Sequence, residues 1–212
     1  MRIPRKIILI PVFLILLLLF RYVSEIGPDR TADARFHVIN VIDGDTIELT
    51  GGELLRLLAI DTPEKGEPFY DSARIFLQHL VEGKNLEVSF SHKSRDKYGR
   101  LLGYVYIDSI FINKEIIKQG LANIYLFEDN LSDNDKIDQL QAAQNDAMAA
   151  GRNIWSVKRV PEDYYLVRKG SLRFHRPFCN SVKNLKPHEL FKFSTREEAF
   201  REGYSPCRNC RP

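Results

Sequence analysis

Three short segments of the chain place acidic and basic side chains beside predicted strands. They read VIDGDT from Val41, RLLAIDTPE from Arg56 and DKYGR from Asp96. Hydrolysis of a phosphodiester bond requires a hard cation held by oxygen ligands, a base that activates water, and fixed positive charge around the transition state. Because the residue types in these segments can supply all three, together they predict a phosphodiesterase site.

Carboxylates provide the predicted cation ligands and the predicted base. Asp45 and Asp61 are expected at the ends of neighbouring strands, and the carbonyl of Thr62 adds a third oxygen. Glu64 lies three residues beyond Asp61, which suits a general base better than a ligand.

Two arginines complete the pattern. Arg56 and Arg100 could each donate two hydrogen bonds to two phosphate oxygens, which the point charge of a lysine does not replace.

Each of the three segments has a simpler interpretation by itself, since an Asp-Gly-Asp turn is common in hairpins and Asp43 could serve only to shape that turn. It is the three segments in combination that support the prediction.

A second cluster of reactive residues lies near the C-terminus, where all three cysteines of the chain occur. His175 and Cys179 have the spacing H-x3-C, and Cys207 and Cys210 have the spacing C-x2-C. One histidine and three cysteines make a complete tetrahedral zinc set, and so small a unit would gain its stability from the metal. The alternative is a disulfide between Cys207 and Cys210 with one spare thiol.

Short strands and helices must position these side chains. Five segments have the residue pattern of strands: 36–41, 46–49, 53–60, 86–90 and 101–107. Apolar residues at helical spacing predict a helix from Phe69 to Leu80, a short helix that Asn113 caps, and a longer helix that Ser132 opens. Short strands on a helix-braced core predict a mainly β protein with helices, an α+β fold built on a small barrel.

The N-terminus has the pattern of a membrane-targeting segment. Two arginines and a lysine within the first six residues precede 14 apolar residues, Ile7 to Phe20. We expect residues 1–23 to form an uncleaved transmembrane signal anchor, or alternatively a cleaved secretory signal, and residues 24–34 to form a linker. The first arrangement predicts a single-pass protein of the cell membrane with its catalytic domain outside the cytoplasm, and the second predicts secretion.

The charge of the chain is unevenly distributed. From Leu166 onward there are 11 Lys and Arg residues against 4 Asp and Glu residues, although the formal net charge of the whole chain is only +3. A basic end of this kind suits a polyanionic ligand, but it suits solubility equally well. Hydrophobic content of 44% and charged content of 28% are ordinary for a folded domain, so composition alone indicates no function.

From about Phe36 to Ser156 the sequence resembles the staphylococcal nuclease family. The motifs that carry the resemblance are VIDGDT, RLLAIDTPE, DKYGRLLGYVY, INKEIIKQGLA and GRNIWS. The resemblance implies an OB-fold over residues 35–158, with a five-stranded barrel and three helices. It also implies calcium-dependent cleavage of DNA and RNA that leaves a 3′-phosphate and a 5′-hydroxyl.

The resemblance assigns roles to individual residues. It assigns calcium binding to Asp45, Asp61 and the Thr62 carbonyl. It assigns the role of general base to Glu64 and the phosphate contacts to Arg56 and Arg100. Further substrate contacts are implied at Lys97 and Tyr98 in DKYGR, and at Tyr125 and Phe127 in the segment after GLA. For Lys97 and Tyr98, a polar hairpin tip without a binding role is the alternative.

The end of the chain is similar to a different family. Most of residues 166–212 resembles the small zinc-binding module of the Ada DNA-repair protein, with His175 in place of one of four cysteines. The resemblance implies a metal-binding module over residues 164–212 that holds a structural zinc ion.

These observations favour an enzyme over a catalytically silent nucleic-acid-binding barrel displayed at the membrane. A silent relative would be expected to lose a carboxylate or an arginine, and this chain retains them all. A surface module that captures DNA for uptake is compatible with activity. The predicted partners are DNA or RNA as substrate and the membrane through the N-terminal segment, and no obligate protein partner is evident.

Overall fold

A computed structural model describes Ala34–Pro212, which form one compact unit. The predicted signal anchor over residues 1–23, and all of the predicted linker except its last residue, lie outside the described residues. Within Ala34–Pro212, no helix has both the length and the apolar character needed to cross a membrane.

The first part of the described chain is built on short strands. In chain order they are β1 (Ala34–Val41), β2 (Thr46–Leu49), β3 (Leu54–Leu57), β4 (Ile60–Asp61), β5 (Asn85–Arg95), β6 (Leu101–Ile107), β7 (Ile110–Phe111) and β8 (Asn123–Ile124). The sheet order β3-β2-β1-β5-β6-β7 is closed by parallel pairing of β3 with β6. Five strands therefore form a closed barrel, which confirms the predicted barrel and the mixed α+β class.

The barrel positions Arg56 through the alternation of β3. Leu55 and Leu57 are buried in the core, while Arg56 between them is partly exposed. Because successive side chains of a strand point to opposite faces, Arg56 lies on the face opposite that of its two apolar neighbours. One strand therefore serves both the core and the predicted site.

The predicted single strand over residues 53–60 is wrong in one respect. The chain turns after β3 at Ala59, whose φ of 63° lies in the left-handed region, and β4 then pairs with β8 in a separate two-stranded sheet. An apolar run does not reveal where it bends, because both halves of it are buried. The bend brings Asp61 back toward Arg56.

Three helices accompany the barrel, as predicted: α1 (Tyr70–Val81), α2 (Ile112–Lys118) and α3 (Asn134–Ala149). The predicted cap at Asn113 is wrong, because Asn113 lies inside α2 and is fully buried. Its side chain accepts a hydrogen bond from the Val105 N–H and donates one to the Leu58 carbonyl. The predicted opening at Ser132 is displaced, since α3 follows Asp133.

The C-terminal module has its own sheet. It contains β9 (Tyr165–Arg168), β10 (Arg173–His175), β11 (Leu190–Phe193), β12 (Ser205–Pro206) and the short helix α4 (Arg196–Arg201). The sheet order is β11-β9-β10-β12. Short 3-10 helices occur at Glu128–Asn130, Asn153–Ser156 and Pro187–Glu189.

The module packs directly against α3. Met148 of α3 belongs to the same buried cluster as Phe174 and Phe200 of the module. Gln141 and Gln144, also on α3, both donate hydrogen bonds to the Phe200 carbonyl. The module and the barrel therefore share a surface that can place residues of one beside the site of the other.

Candidate active site

The buried carboxylate of Asp45 is the best-connected group of the predicted site. Its Oδ2 accepts hydrogen bonds from the backbone N–H of Thr62 at 3.0 Å and from the Thr62 hydroxyl at 2.9 Å. Its Oδ1 accepts a bond from the Thr46 hydroxyl at 3.2 Å. The turn before β2 is thereby fastened to the loop after β4, which brings two of the predicted calcium ligands together.

Arg56 joins the two acidic ligands. Its Nη2 lies 2.9 Å from Asp45 Oδ2 and 3.2 Å from Asp61 Oδ1. The same guanidinium donates to the carbonyls of Leu57 and Ile60, on either side of the bend in the chain. Arg56 thus holds the bend closed and links the carboxylates that the sequence predicted as neighbours.

The site carries more buried negative charge than Arg56 neutralises. Burial raises the pKa of Asp61, although the positive charges of Arg56 and Arg208 oppose the shift. Burial and the nearby Asp45 carboxylate also raise the pKa of Asp43. Carboxylates that are costly to ionise in the folded protein are stabilised by a bound cation, and oxygen donors suit calcium.

Asp43 and Gly44 shape the turn that carries Asp45. Asp43 Oδ1 accepts a hydrogen bond from the Asp45 N–H at 3.0 Å, in agreement with its predicted role in the turn. A Cβ atom on Gly44 would lie 2.7 Å from the Ala73 Cβ and 2.8 Å from the Thr62 Oγ1. Only glycine therefore allows the turn to approach α1 and Thr62 so closely, a requirement that the sequence did not reveal.

Glu64 lies on the exposed loop that follows Thr62 and Pro63. Its backbone N–H donates to Glu67 Oε2 at 2.9 Å, which fixes the start of the loop. Glu64 lines the same cleft as Asp61 and Thr62. The structure therefore places the predicted base beside the predicted metal ligands and in contact with solvent.

Arg100 is held within its own hairpin loop. Its Nε and Nη2 each lie 2.8 Å from Asp96 Oδ2, and its guanidinium is 5.6 Å from the Tyr98 ring centroid. Burial opposes ionisation of Asp96, but hydrogen bonds from Arg100 and from the Tyr98 N–H lower the pKa of that carboxyl overall. Lys97 and Tyr98 occupy the exposed hairpin tip. The structure pairs Arg100 with Asp96 and not with the predicted calcium-ligand carboxylates.

The two predicted aromatic contacts differ in accessibility. Tyr125 is only 8% exposed, and the guanidinium of Arg173 lies 3.7 Å from its ring centroid, whereas Phe127 is 48% exposed. The backbone N–H of Tyr125 bonds to the Ala59 carbonyl, which places Tyr125 beside the bend that leads to Asp61. The module therefore covers a face of Tyr125 that was expected to stack on a base, while Phe127 stays accessible.

A cleft of about 600 Å³ separates the loop after β4 from the C-terminal module. Acidic residues of the barrel line one side, namely Asp61, Glu64 and Glu67. Four arginines also line it: Arg159, Arg196, Arg208 and Arg211. Arg208 forms an ion pair with Asp61, and Arg211 Nη1 lies 2.8 Å from Glu67 Oε1. No sequence signal indicated Arg208 or Arg211, because an arginine beside a cysteine has the same local pattern as any solvated charged residue.

The predicted zinc ligands lie together in the module. Single ligand atoms of His175, Cys179, Cys207 and Cys210 all fall within 4.8 Å of one another, so this group could hold a metal ion. No disulfide joins Cys179, Cys207 or Cys210 in this structure. His175 Nδ1 is buried without a hydrogen-bond partner, and burial lowers the pKa of its imidazole. A neutral imidazole with an unsatisfied ring nitrogen is a suitable ligand for zinc.

Comparisons with known proteins agree with the geometry of the barrel site. Residues 54–157 match the family model described as Staphylococcal nuclease homologue. Thermonucleases of Staphylococcus hyicus and Staphylococcus intermedius are 29% and 31% identical to this chain over 164 and 162 residues, which cover 95% of each thermonuclease and 70% of this chain. An uncharacterized endonuclease of Escherichia coli O157:H7 is 34% identical over 133 residues, which cover 82% of that protein and 61% of this chain. With its closed barrel and its clustered carboxylates, this chain is a nuclease that belongs to the staphylococcal nuclease family.

Proposed function

We propose that this nuclease is a calcium-dependent endonuclease that hydrolyses DNA or RNA outside the cytoplasm, leaving 3′-phosphate and 5′-hydroxyl ends. The observation that supports calcium dependence most directly is the group formed by Asp45, Asp61 and Thr62, in which one guanidinium bridges the two carboxylates. The resemblance to thermonucleases supports the products.

The oxygen donors of this group fit a calcium ion. Asp45, Asp61 and the Thr62 carbonyl would hold it, and the bound ion would neutralise charge on the phosphate under attack. Two hydrogen bonds from Thr62 orient the Asp45 carboxylate before any ion binds. The raised pKa of Asp61 supports the proposal, because a cation would relieve the cost of ionising it.

The remaining residues act on water and on the phosphate. Glu64 faces the solvent of the cleft and accepts the proton of the attacking water, which breaks the bond to the 5′ oxygen. Arg56 neutralises a non-bridging oxygen from its position between the carboxylates. Arg100 contributes after exchanging Asp96 for the phosphate, and Lys97, Tyr98 and Phe127 contact the strand on either side.

The substrate and the metal are tested together. Purified full-length protein is incubated with single-stranded DNA, duplex DNA and RNA, in calcium or in a calcium-specific chelator. The proposal predicts internal cleavage only when calcium is present. A ligase should join the product ends only after a phosphatase has removed the 3′-phosphate and a kinase has phosphorylated the 5′-hydroxyl. Cleavage of equal rate in the chelator, or products with 5′-phosphates, would refute it.

For the C-terminal cluster we propose a structural zinc ion held by His175, Cys179, Cys207 and Cys210. The gathering of one imidazole and three thiols supports it, as does the unsatisfied Nδ1 of His175. The resemblance to the module of the Ada protein stays a prediction, as the matched family model ends at residue 157.

The proposed location depends on the N-terminal sequence. A basic flank followed by 14 apolar residues supports a single-pass anchor in the cell membrane with the nuclease outside the cytoplasm, and secretion after cleavage is the alternative. Protease added to spheroplasts should remove the nuclease domain while alkaline carbonate leaves the full-length chain in the membrane. Full-length protein recovered mainly in the cytosol would contradict both arrangements, and a shortened chain in the medium would favour secretion.

A further inference from the structure

One residue of the C-terminal module reaches the nuclease site directly. Arg208 lies between Cys207 and Cys210 in the sequence, and its guanidinium pairs with Asp61, a proposed calcium ligand. We propose that Arg208 is a further substrate-binding residue of this enzyme, which binds a phosphate of the nucleic-acid strand, and that the Cys/His cluster positions it. The inference rests on the proposed function, because it takes the cleft beside Asp61 as the path of the strand.

The position of Arg208 suits a phosphate next to the reacting one. Its side chain is 55% exposed and lines the cleft that also contains Asp61 and Glu64. Its guanidinium lies 4.7 Å from the Tyr125 ring centroid, so an aromatic face supports it from one side. A guanidinium held in this way can present two N–H groups to a phosphate, which is the preferred geometry of arginine–phosphate pairs.

The other arginines of the cleft support the same ligand. Arg159, Arg196 and Arg211 line the cleft together with Arg208, and so do the acidic residues Asp61, Glu64 and Glu67. A nuclease with acidic residues at its site must offset their repulsion of a polyanionic strand, and positive side chains in the same cleft do so. Three of the 11 Lys and Arg residues from Leu166 onward therefore lie in the cleft that the strand would enter.

The Cys/His cluster fixes the loop that carries Arg208. Cys207 is buried, its N–H bonds to the Phe174 carbonyl at 3.0 Å, and its carbonyl accepts the Arg211 N–H at 2.9 Å. Two of the four potential ligands therefore flank Arg208 within a short turn. Loss of a metal ion held by the cluster would free this turn and with it the guanidinium, although the site on the barrel would be intact.

A latch that closes the site is the competing interpretation of the same ion pair. An ion pair with a guanidinium this exposed is weak, because water screens it and the long side chain loses freedom. The cleft beside the pair also has room for a ligand. We therefore interpret the ion pair as one that opens when substrate binds: a phosphate replaces Asp61 as the partner of Arg208, and a bound cation replaces Arg208 as the partner of Asp61.

The test compares Arg208→Ala with a matched control, Arg168→Ala, in full-length protein. Arg168 carries the same charge in the same module, is exposed, and does not line the cleft. Binding of a fluorescent single-stranded oligonucleotide is measured in calcium by anisotropy, with both substitutions made in a Glu64→Gln background to prevent cleavage. Arg208→Ala should weaken binding about tenfold. It should also make the dependence of log K on log salt shallower by about 0.7, the value for one lost phosphate contact.

The positioning role of the cluster is tested by His175→Ala, which removes a potential ligand distant in sequence from Arg208. This variant should weaken binding about as much as Arg208→Ala does, and the double variant should be no worse than either single one. Additive losses would overturn the positioning role.

The outcomes separate the possible failures. Binding by Arg208→Ala equal to that of the Arg168→Ala control would overturn the inference. Tighter binding by Arg208→Ala, with faster cleavage when the same substitution is made in the protein that retains Glu64, would also overturn it and would identify a latch. If the wild-type protein shows no calcium-dependent cleavage but Arg208→Ala still loses affinity, the proposed function fails while the role of Arg208 stands.

Discussion

Arg56 Nη2 lies 2.9 Å from Asp45 Oδ2, and the pair is largely shielded from water. The same atom is 3.2 Å from Asp61 Oδ1, so one guanidinium contacts two carboxylates from different segments of the chain. Arg56 therefore stabilises the fold as well as taking part in the candidate site, and its effect on stability can be measured.

Replacing Arg56 with Met should destabilise the protein more in a calcium chelator than in calcium. Removing one partner of a largely buried ion pair leaves uncompensated charge, which costs about 3 kcal/mol. Calcium bound to Asp45 and Asp61 would restore part of that compensation. Urea unfolding with and without calcium measures the difference, and an identical loss under both conditions would show that these carboxylates do not hold the ion.

Asp61→Asn should stabilise the calcium-free protein near neutral pH. Burial raises the pKa of Asp61 above that of the unfolded chain, so its contribution to stability is fully present at low pH and is lost as the pH rises through the raised pKa. The amide removes that loss. The gain in unfolding free energy over wild type should be present at about pH 7. It should disappear below about pH 3.8, the pKa of the aspartate in the unfolded chain.

The control for this measurement is Asp138→Asn, because Asp138 is exposed on α3. It should change the unfolding free energy little at either pH. A loss of stability in Asp61→Asn at neutral pH would mean that the pairs with Arg56 and Arg208 outweigh burial.

Chelation of the C-terminal metal should be visible in the fluorescence of Trp155, the single tryptophan of the chain. The Trp155 ring lies 4.8 Å from the ring of Phe200, which belongs to the core of the module. Purified protein should contain about one zinc per chain, and a strong zinc chelator should shift the emission and lower the temperature of unfolding. Cys179→Ser should reproduce both effects without a chelator.

A metal-free protein whose mass is lower by two hydrogens would instead identify a disulfide. In that case His175→Ala would leave the emission of Trp155 unchanged. The barrel should remain folded in either case, because its core cluster contains no residue of the Cys/His group.

The barrel and the clustering of its carboxylates were predictable because chemistry and pattern coincide there. Strand alternation in β3 and the carboxylates of Asp45 and Asp61 are local features of the sequence. The bend at Ala59 and the close approach of Gly44 to Thr62 were not predictable, since both depend on what packs against them from distant segments. The position of Arg208 was hidden for the same reason.

For the cluster of His175 with the three cysteines, the grouping of the residues was predictable but the packing around the module was not. Spacing alone predicted that the four residues form one group, and the structure brings them together. Spacing did not show that α3 supplies Met148 to the core of the module. Contacts between two folded units depend on surface complementarity, which no local pattern encodes.

The most direct test of the proposed mechanism is the nuclease activity of Glu64→Gln in calcium. Glu64 is exposed in the cleft, so the amide should leave the fold and the binding of calcium unchanged. Loss of the general base should lower kcat by about 10²–10⁴-fold, with little change in the affinity for a single-stranded oligonucleotide. Undiminished cleavage by Glu64→Gln in calcium, with a normal unfolding curve, would contradict the proposed mechanism.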